Sequence, residues 1–480
     1  MIEGLRPYPK STSPGADWLP ALPQHWQLHR AKANFREVDE RSLHGEEELL
    51  SVSHKTGVTP RSQKNITMFM AESYEGHKTC QPGDIVVNTM WAWMAALGTS
   101  KHVGIISPAY GVYRQRNDGA FDPRYLDYLL RIDTYRGEYL RSSRGITTSR
   151  LRLYPPDFLN IPFVQPPHDE QRLIVRFLDW HGAMTGKLIR AKRRLIALLN
   201  EQKQSIIHRA VTRGLDPAAK LKPSGNPLIG EVVDGWPIRR LRNVAELRVS
   251  NVDKKEHEGE LPVRLCNYVD VYRNEQIGPA IPFMQATASS FEIERFRLKV
   301  GDVIITKDSE DWKDIGVPAL VATEADDLVC AYHLAMLRSV PDRIEGAFLF
   351  WQLMGWAARW SFAMQASGVT RFGLSQGAIK GLPLVVPPLD QQRQIVAHLI
   401  EATADIRSGV KDALDEIALI QEFRTRLIAD VVKGQLDVRA IAARLPEVPD
   451  AEAAADLADD DDLGADEDEP ASDFADEEAV

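Results

Sequence analysis

The sequence has few cysteines and no long apolar run. Its three cysteines, Cys80, Cys266 and Cys330, lie far apart and form no Cys-x-x-Cys pair, which argues against a zinc site and against a disulfide framework. No apolar stretch approaches the roughly 18 residues that a membrane span needs. The first 20 residues contain four prolines and lack the apolar centre of a signal peptide. We therefore expect a soluble, cytoplasmic protein.

Basic residues are missing from the end of the chain. Residues 446–480 contain 16 Asp or Glu and no Lys or Arg, which leaves 58 basic against 52 acidic residues in the rest of the chain. A mildly basic body with an acidic extension fits a nucleic-acid partner, although an excess of six charges is weak evidence. The extension is poor in apolar residues, so we expect it to be disordered.

Motifs for catalysis are also missing. "YPPDF" at Tyr154 lacks the amide or acid that would precede the prolines in an adenine methyltransferase. "HGAMTGKL" at His181 has only three residues between its glycines and no Ser or Thr after Lys187, so it is not a phosphate-binding loop. No Gly-x-Ser-x-Gly motif and no His/Glu pair with metal-ligand spacing is present. These absences suggest a protein without catalysis of its own.

A long internal repeat is the most informative feature that is present. "IPFVQPPHDEQRLIV" begins at Ile161, and "LPLVVPPLDQQRQIV" begins 221 residues later at Leu382. From Pro166 and Pro387 onward, seven of ten residues are identical. "PGDIVVNT" at Pro82 likewise matches "VGDVIITK" at Val300. A repeat of this length indicates a duplicated domain rather than a solenoid unit.

Each half combines a mixed domain with a long helix. "GDIVVNT" and "GDVIITK" are typical of short buried strands, whereas apolar residues at heptad spacing after Asp169 and Asp390 predict helices of more than 40 residues. Both aspartates are expected to be N-cap residues. Two such helices should pack antiparallel, because a parallel pair must accommodate a whole domain between the end of one helix and the start of the next. The less favoured alternative is that both are core helices of one domain.

The predicted fold class is therefore α+β, with two mixed α/β domains separated by two long helices that pack as an antiparallel coiled coil, in a pseudo-twofold repeat. The predicted boundaries are an N-terminal arm (1–20), domain 1 (21–167), the first long helix (168–214), a linker (215–234), domain 2 (235–388), the second long helix (389–434) and an acidic tail (435–480).

Together, the paired Pro-Pro hinges, the long helices that follow them and the paired "GITTS" and "GVTRFG" loops resemble the specificity subunit of type I restriction–modification systems. This resemblance spans roughly residues 18–438. It implies that each half is a target-recognition domain that reads one part of a bipartite, asymmetric double-stranded DNA site, and that the coiled coil sets the spacing. It further implies a non-catalytic subunit that assembles with two methylation subunits and two restriction or motor subunits. This chain would bind no cofactor itself, and S-adenosylmethionine, ATP and Mg would bind to the partner subunits.

Polar loops at corresponding places in the two halves are the candidate DNA-binding sites. Arginine can bond guanine, asparagine can bond adenine, and threonine can reach a phosphate. The candidates in domain 1 are Arg61, Lys64, Asn88, Arg144, Thr147, Thr148 and Arg150. Those in domain 2 are Arg264, Asn267, Tyr268, Arg273, Lys307, Thr370 and Arg371. An ordinary solvated turn explains any one of these residues about equally well. Phe177, Trp180 and Phe423 are candidate docking points for partner subunits.

Two other functions stay open at this point. One is a stand-alone DNA methyltransferase or nuclease with unrecognised motifs. The other is a coiled-coil scaffold whose domains bind protein rather than DNA; salt dependence of duplex binding would distinguish it, because phosphate contacts weaken as salt rises.

Overall fold

The computed structural model of the chain describes residues 5–63, 73–117, 119–147, 150–369 and 371–446. These residues form two compact units. Unit 1 comprises the described parts of residues 1–192 and 415–446, and unit 2 comprises the described part of residues 193–414. Both boundaries fall inside the long helices, so each unit contains one mixed domain and a segment of each long helix.

Domain 1 is organised around a four-stranded antiparallel sheet. The spatial order of its strands is Phe35–Glu37, Gly111–Gln115, Ile85–Val87 and Leu97–Thr99. Ile85 and Val87 point into the core that the helices cover, whereas Val86 points into a smaller core on the opposite face. The "DIVV" segment is therefore a strand that is buried on both faces, as its apolar run predicts.

Domain 2 repeats this sheet with one extra strand. Its order is Ala245–Val249, Leu334–Ser339, Val303–Thr306 and Pro318–Val321, with Gln276–Ile277 added in parallel at the edge. Val303 and Ile305 face the core beneath the helices, and Ile304 faces the second core. The repeat seen in the sequence is therefore a repeat of strand order and of buried faces.

The remaining strands form separate sheets of two or three strands. In unit 1 the other strands are Ser11–Thr12, Leu22–Pro23, Gln27–Arg30, Leu50–Ser53, Gly57–Pro60, Lys78–Cys80, Gly104–Ile106 and Pro162–Gln165, and the short helices are Ala31–Asn34, Arg61–Gln63, Ala92–Met94, Pro123–Leu130, Asp133–Ser142, Pro155–Asn160 and Arg439–Ala442. In unit 2 the other strands are Leu221–Pro223, Glu231–Val233, Ile238–Arg240, Leu261–Cys266, Met284–Ala288, Asp308–Ser309, Leu328–Cys330, Phe372–Gly373 and Pro383–Val385, and the short helices are Leu241–Asn243, Tyr268–Arg273, Ser290–Phe296, Gly346–Met354, Trp356–Ala363 and Gln376–Gly381.

An aspartate opens the central strand of each sheet and binds an arginine of the neighbouring strand. Asp84, only 2% exposed, accepts bonds of 2.9 Å from both Nε and Nη2 of Arg114. Asp302, also 2% exposed, accepts bonds of 2.8 and 2.6 Å from the same atoms of Arg338. Such two-point contacts are geometrically specific. These contacts explain the aspartate of the repeated Gly-Asp pair. The glycine is explained by its backbone, because it has a φ of +88° in domain 1 and +87° in domain 2, a conformation that favours glycine.

The two long helices differ in continuity. The first is an unbroken helix of 46 residues, His168–Arg213. The second consists of Leu389–Ala402 and Ala404–Val432, so the expectation of one continuous helix is wrong at Thr403. The fully buried Thr403 hydroxyl donates to the Leu399 carbonyl at 2.7 Å, a bond of the kind that often bends helices.

The expected N-caps are also wrong. The second long helix begins at Leu389 with Pro388 as its N-cap residue, so Asp390 lies within the first turn. Asp169 likewise lies inside the first turn of the first long helix, where its exposed carboxylate pairs with Arg172 at 2.6 Å. A carboxylate in the first turn still interacts favourably with the helix dipole.

Within each unit the segments of the two long helices run antiparallel. In unit 1, Lys192 forms an ion pair with Glu416. In unit 2, a methyl group at Gly409 would lie 3.5 Å from Leu199 Cδ1. Also in unit 1, the rings of His181 and Phe423 lie 5.7 Å apart, so an earlier residue of the first helix meets a later residue of the second, as antiparallel packing requires.

Most of the apolar residues at heptad spacing in the two long helices are buried. On the second helix these are Ile395, Leu399, Ile406, Ala413, Ile417, Leu427 and Val431, and on the first they are Ile174, Leu178, Ile189 and Ala210. Near the end of the first helix, Ile207 is fully buried and Ile206, which has the heptad spacing, is only partly buried. Lys203 occupies one of the heptad positions of the first helix in place of an apolar residue. It is 8% exposed and forms an ion pair with Glu275 of domain 2.

The ends of the long helices complete the cores of the domains. Leu427, Val431 and Val432 of the second helix belong to the core of domain 1, where the Tyr125 hydroxyl donates to the Val432 carbonyl at 3.3 Å. Ile207, Ala210 and Val211 of the first helix belong to the core of domain 2, beside Trp236 and Phe348. Each domain therefore packs on the start of one long helix and on the end of the other.

A buried glutamine attaches each domain to the long helix that follows it. Gln171, fully buried, donates to the carbonyls of Pro166 at 2.9 Å and Ala120 at 3.1 Å, and accepts from the Asp122 N–H at 2.8 Å. Asp122 is the N-cap residue of helix Pro123–Leu130. This carboxamide therefore joins the Pro-Pro hinge, the long helix and a helix of domain 1.

Gln392 repeats these contacts in unit 2. It is fully buried, donates to the carbonyls of Pro387 at 2.7 Å and Arg343 at 3.1 Å, and accepts from the Glu345 N–H at 2.9 Å. Glu345 is the N-cap residue of helix Gly346–Met354. The glutamine of the repeated Pro-Pro-x-Asp-x-Gln-Arg string is thus explained by three backbone contacts.

Described residues at both ends of the chain are buried in the core of unit 1. In the arm, Tyr8 is buried and its hydroxyl donates to Glu170 at 2.5 Å. Residues 435–446 were expected to belong to a disordered tail, but Val438 and Ala442 are fully buried in the core of unit 1. That expectation is therefore wrong for residues 435–446, because this segment carries apolar residues before the acidic run begins. Residues 447–480 lie outside the described residues.

We predict that Gln171→Leu and Gln392→Leu each lower the free energy of unfolding by about 2–4 kcal/mol, because each leaves buried backbone groups without partners. Arg172→Leu is the matched control, since Arg172 is exposed in the same turn, and it should change stability by no more than about 0.5 kcal/mol. Denaturant unfolding followed by circular dichroism measures both effects. Equal stability of the glutamine variants and the control would contradict the assigned role.

Candidate nucleic-acid interface

Loop 1, which we define as the described residues 144–147 and 150–152, is closed at its base by two backbone hydrogen bonds. Arg144 and Arg152 donate to each other's carbonyl oxygens at 2.9 Å. The Leu153 N–H donates to the Thr89 carbonyl at 2.9 Å, which joins the loop to the segment after the central strand. At its tip, Ile146 and Thr147 are exposed.

Loop 2, residues 367–373, has the same construction in domain 2. Ser367 and Gly373 exchange backbone hydrogen bonds of 3.1 and 2.9 Å. The Leu374 N–H donates to the Lys307 carbonyl at 2.8 Å. Lys307 corresponds to Thr89 and Leu374 to Leu153 in the repeat, so the two loops leave equivalent sheets at equivalent places.

Exposed arginines flank both loops. Arg144 has 71% of its side chain exposed and pairs with Asp157 at 2.6 Å, while Arg150 and Arg371 are exposed at the loop surface. Three other candidates, Lys64, Thr148 and Thr370, lie outside the described residues. For Arg144, Thr147, Arg150 and Arg371 the geometry is compatible with contact to a ligand, and DNA binding stays a prediction.

Asn88 is not placed for ligand contact, which corrects its selection as a candidate. Its side chain is 4% exposed; Nδ2 donates to the Tyr110 hydroxyl at 2.9 Å, and Oδ1 accepts from the Met90 N–H at 3.2 Å. This amide therefore holds the segment after the central strand in place. Arg61, half-buried in the turn Arg61–Gln63, lies close enough to the Tyr110 hydroxyl to oppose the pKa increase that burial causes there.

Lys307 belongs to a local charge cluster. Its ammonium donates to Asp308 at 2.9 Å, and His333 Nδ1 lies 2.9 Å from the same carboxylate oxygen. Burial alone would raise the pKa of Asp308, but the hydrogen bonds from His333 and Lys307 lower it. The cation is thus partly neutralised before any ligand arrives, which weakens the expectation of a phosphate contact.

Tyr268 lies next to loop 2. Its ring stacks on Tyr272, with centroids 5.5 Å apart and an interplanar angle of 15°. Burial raises the pKa of Tyr268, whereas Ser309 and Arg371 oppose that increase. Because Asp308–Ser309 pairs with Phe372–Gly373, the structure brings Tyr268, Lys307 and Arg371 to one region of domain 2.

The other candidates of domain 2 have structural partners. Arg264 makes a two-point contact with Asp327, at 2.8 and 2.7 Å. The Asn267 N–H donates to Asp270 at 2.8 Å, and its Nδ2 donates to the Leu265 carbonyl at 3.3 Å, which fixes the start of helix Tyr268–Arg273. Arg273, at the end of this helix, is exposed. These contacts favour a structural role for Arg264 and Asn267.

Sequence reasoning missed the apolar residues at the loop tips. Ile146 and Val369 are not polar and so were not among the candidates, although the shared Gly-Ile/Val-Thr string marks both positions. The docking candidate Phe177 is also corrected: it is 1% exposed and belongs to the core of unit 1, whereas Phe423 is 42% exposed.

Two searches of the described residues give negative results. No helix among them is long and apolar enough to span a membrane. In the same part of the chain, no group of three or more His, Cys, Asp or Glu residues is placed to hold a metal ion.

Comparison with known proteins gives the family context. A putative specificity subunit of the type I restriction enzyme MjaX from Methanocaldococcus jannaschii is 22% identical over 172 residues, which is 36% of this chain and 40% of the relative. The specificity subunit of the type I restriction enzyme StySPI from Salmonella potsdam is 21% identical over 367 residues, 74% of this chain and 75% of the relative. No family model matches the chain.

A solved structure matches at the level of fold. A chain from a study of complex assembly and conformational transition in the type I restriction–modification system has a TM-score of 0.56 and 17% identity, covering 86% of this chain and 99% of that one. The chain resembles type I specificity subunits in sequence, and its fold resembles that of a chain from a type I restriction–modification system. The resemblance predicted from the repeated hinge and the predicted α+β fold class of a specificity subunit are both confirmed.

We predict that Asn88→Ala lowers the free energy of unfolding of unit 1 by about 1–3 kcal/mol, because the Met90 N–H and the Tyr110 hydroxyl both lose the buried Asn88 amide as a partner. Arg150→Ala, at an exposed position, should change it by less than about 0.5 kcal/mol. Thermal unfolding of both variants checks this difference. If Asn88→Ala were as stable as Arg150→Ala, the structural role of Asn88 would be refuted.

Proposed function

We propose that this chain is the DNA sequence-recognition subunit of a type I restriction–modification complex. Each domain reads one part of a bipartite, asymmetric site in double-stranded DNA. The long helices set the distance between the two parts, and methylation and restriction subunits dock on the chain. The similarity to two specificity subunits and to a type I fold supports this proposal.

One observation carries the proposal: the two domains share a framework but differ at the surface that this framework presents. The buried Asp-Arg pair and the base of the loop are the same in both domains. At the loops, however, Arg144 corresponds to Ser367, and Thr89 corresponds to Lys307. A shared scaffold with different contact residues is what two readers of different base sequences require.

The long helices suit a spacer. The first is unbroken over 46 residues, and at about 1.5 Å per residue such a helix spans roughly 70 Å. Each domain is held on one helix by its hinge glutamine and on the other by apolar contacts. Joining two readers in this way makes the second binding event intramolecular, so specificity rises only for half-sites at a suitable separation.

The partners follow from the proposal. A reader without catalysis requires a methyltransferase that flips the target adenine out of the duplex. We propose two methylation subunits and two restriction or motor subunits around one copy of this chain. S-adenosylmethionine, ATP and Mg would be bound by those subunits, and this chain would contribute recognition alone.

We predict that the host's methylated DNA contains a bipartite adenine motif that depends on this chain. Its two parts should lie roughly one duplex turn apart, with an unspecified gap between them. Methylome sequencing of hosts with and without the gene checks this expectation. An uninterrupted motif, or a bipartite motif that persists without the chain, would count against the proposal.

We also predict that seven residues inserted into both helices lengthen the gap of this motif. Seven residues are one heptad, so the apolar residues of the two helices still face each other after the insertion. Each helix becomes roughly 10 Å longer, which corresponds to about three base pairs of DNA. The insertions belong after Lys192 and after Asp415, because the Lys192–Glu416 ion pair marks one level of the helix pair. Methylome sequencing of the insertion variant reads out the new gap.

An insertion into the first helix alone is the matched control. It shifts part of the first helix by seven residues relative to the second helix, so the two domains can no longer both keep their contacts with both helices. We therefore expect methylation to be abolished. If the double insertion methylated the original motif with its original gap, the helices would not determine the spacing.

A further inference from the structure

The tips of the two loops carry exposed apolar side chains. Ile146 is 99% exposed and Val369 is 93% exposed, and these are the two most exposed large apolar residues in the described part of the chain. Exposing such a side chain forgoes the free energy of its burial. Isolated apolar residues at surfaces are common, but here the same feature occurs at equivalent positions of both domains.

The backbone of each loop presents the tip outward. Gly145 precedes Ile146, and a Cβ atom at Gly145 would lie 2.5 Å from the Arg150 carbonyl oxygen. Gly368 precedes Val369 with a φ of +151°, and a Cβ atom there would collide with the Arg371 carbonyl oxygen. Only glycine allows the two strands of each loop to approach so closely. The paired backbone bonds below the tip then limit the directions in which Ile146 and Val369 can point.

Arginines lie close to both tips, and one of them, Arg144, also pairs with Asp157. Arg150 and the largely exposed Arg144 flank Ile146, and the exposed Arg371 follows Val369 by two residues. An apolar tip between guanidinium groups fits a ligand that has anionic edges and an apolar interior. Duplex DNA has this character, because phosphates line the grooves and stacked bases form their floor.

On the basis of the proposed function, we propose that Ile146 and Val369 are apolar wedges, one for each half-site. Each side chain enters a groove of the DNA and packs against a base step, while the neighbouring arginines contact phosphates. The wedge loosens stacking at that step, as apolar side chains do in proteins that kink DNA. The chain would then distinguish one DNA sequence from another partly by how easily the base step at the wedge opens.

The test uses the chain in complex with its methylation subunits and a duplex carrying the bipartite motif. Ile146→Ser and Val369→Ser should each weaken binding by on the order of tenfold. The slope of log affinity against log salt should be unchanged, because no charge is lost, whereas Arg371→Gln should reduce that slope by about one. Fluorescence anisotropy over a range of salt concentrations measures both quantities.

Matched controls are available in each domain. Val103 is 65% exposed in domain 1 and Val300 is 60% exposed in domain 2, and their serine variants should bind like the wild type. Scrambling one half-site should remove the effect of one wedge variant and leave the effect of the other. 2-Aminopurine placed within a half-site should brighten on binding of the wild type and brighten less with the corresponding serine variant.

The outcomes separate this inference from the proposed function. If the wild-type complex bound the motif duplex no better than random DNA, the recognition function itself would fail. If the wild type bound specifically and both wedge variants matched the Val103 and Val300 controls, the wedges would be refuted. Loss of subunit assembly with unchanged DNA binding would assign the tips to a protein interface and would equally overturn the inference.

Discussion

A buried glutamine carboxamide at each Pro-Pro hinge is the contact on which the other features of the chain depend. Glutamine offers an acceptor and two donors on one planar group, and Gln171 and Gln392 use them on backbone atoms of the hinge, the domain and a helix N-terminus. Because this group is fully buried, losing a partner is costly. The direction in which each long helix leaves its domain is therefore set by backbone contacts.

The packing of the helix ends adds a second constraint. Val431 and Val432 complete the core of domain 1, and Ile207 and Val211 complete the core of domain 2. Neither core is complete within its own half of the sequence. Each half of the sequence therefore supplies part of the core of the other half. Loop 1 and loop 2 contribute little to these cores, so their sequences can differ between the two domains.

The fold could be predicted largely from the sequence, and the site only in part. The strands, hinges and long helices could be predicted because the sequence repeats them, and residues that recur in both halves make the same backbone contacts in both. The break at Thr403 and the burial of Asn88 could not be predicted, since they depend on contacts that heptad spacing and loop position do not encode. Likewise, the approach of His333 to Asp308, the carboxylate that pairs with Lys307, is produced only by the folded sheet. Residues 435–446 were misassigned because the acidic run beyond them dominated the composition.

Exchange of one domain tests the central claim most directly. Residues 235–386 of domain 2 would be replaced by the corresponding segment of a related specificity subunit, so that both Pro-Pro hinges and both long helices are kept. The methylated motif of the host would then be sequenced. The account predicts that one part of the motif changes while the other part and the gap stay the same. A motif that is unchanged, or one in which both parts change together, would contradict the claim that each domain reads its own part of the site while the long helices set the gap.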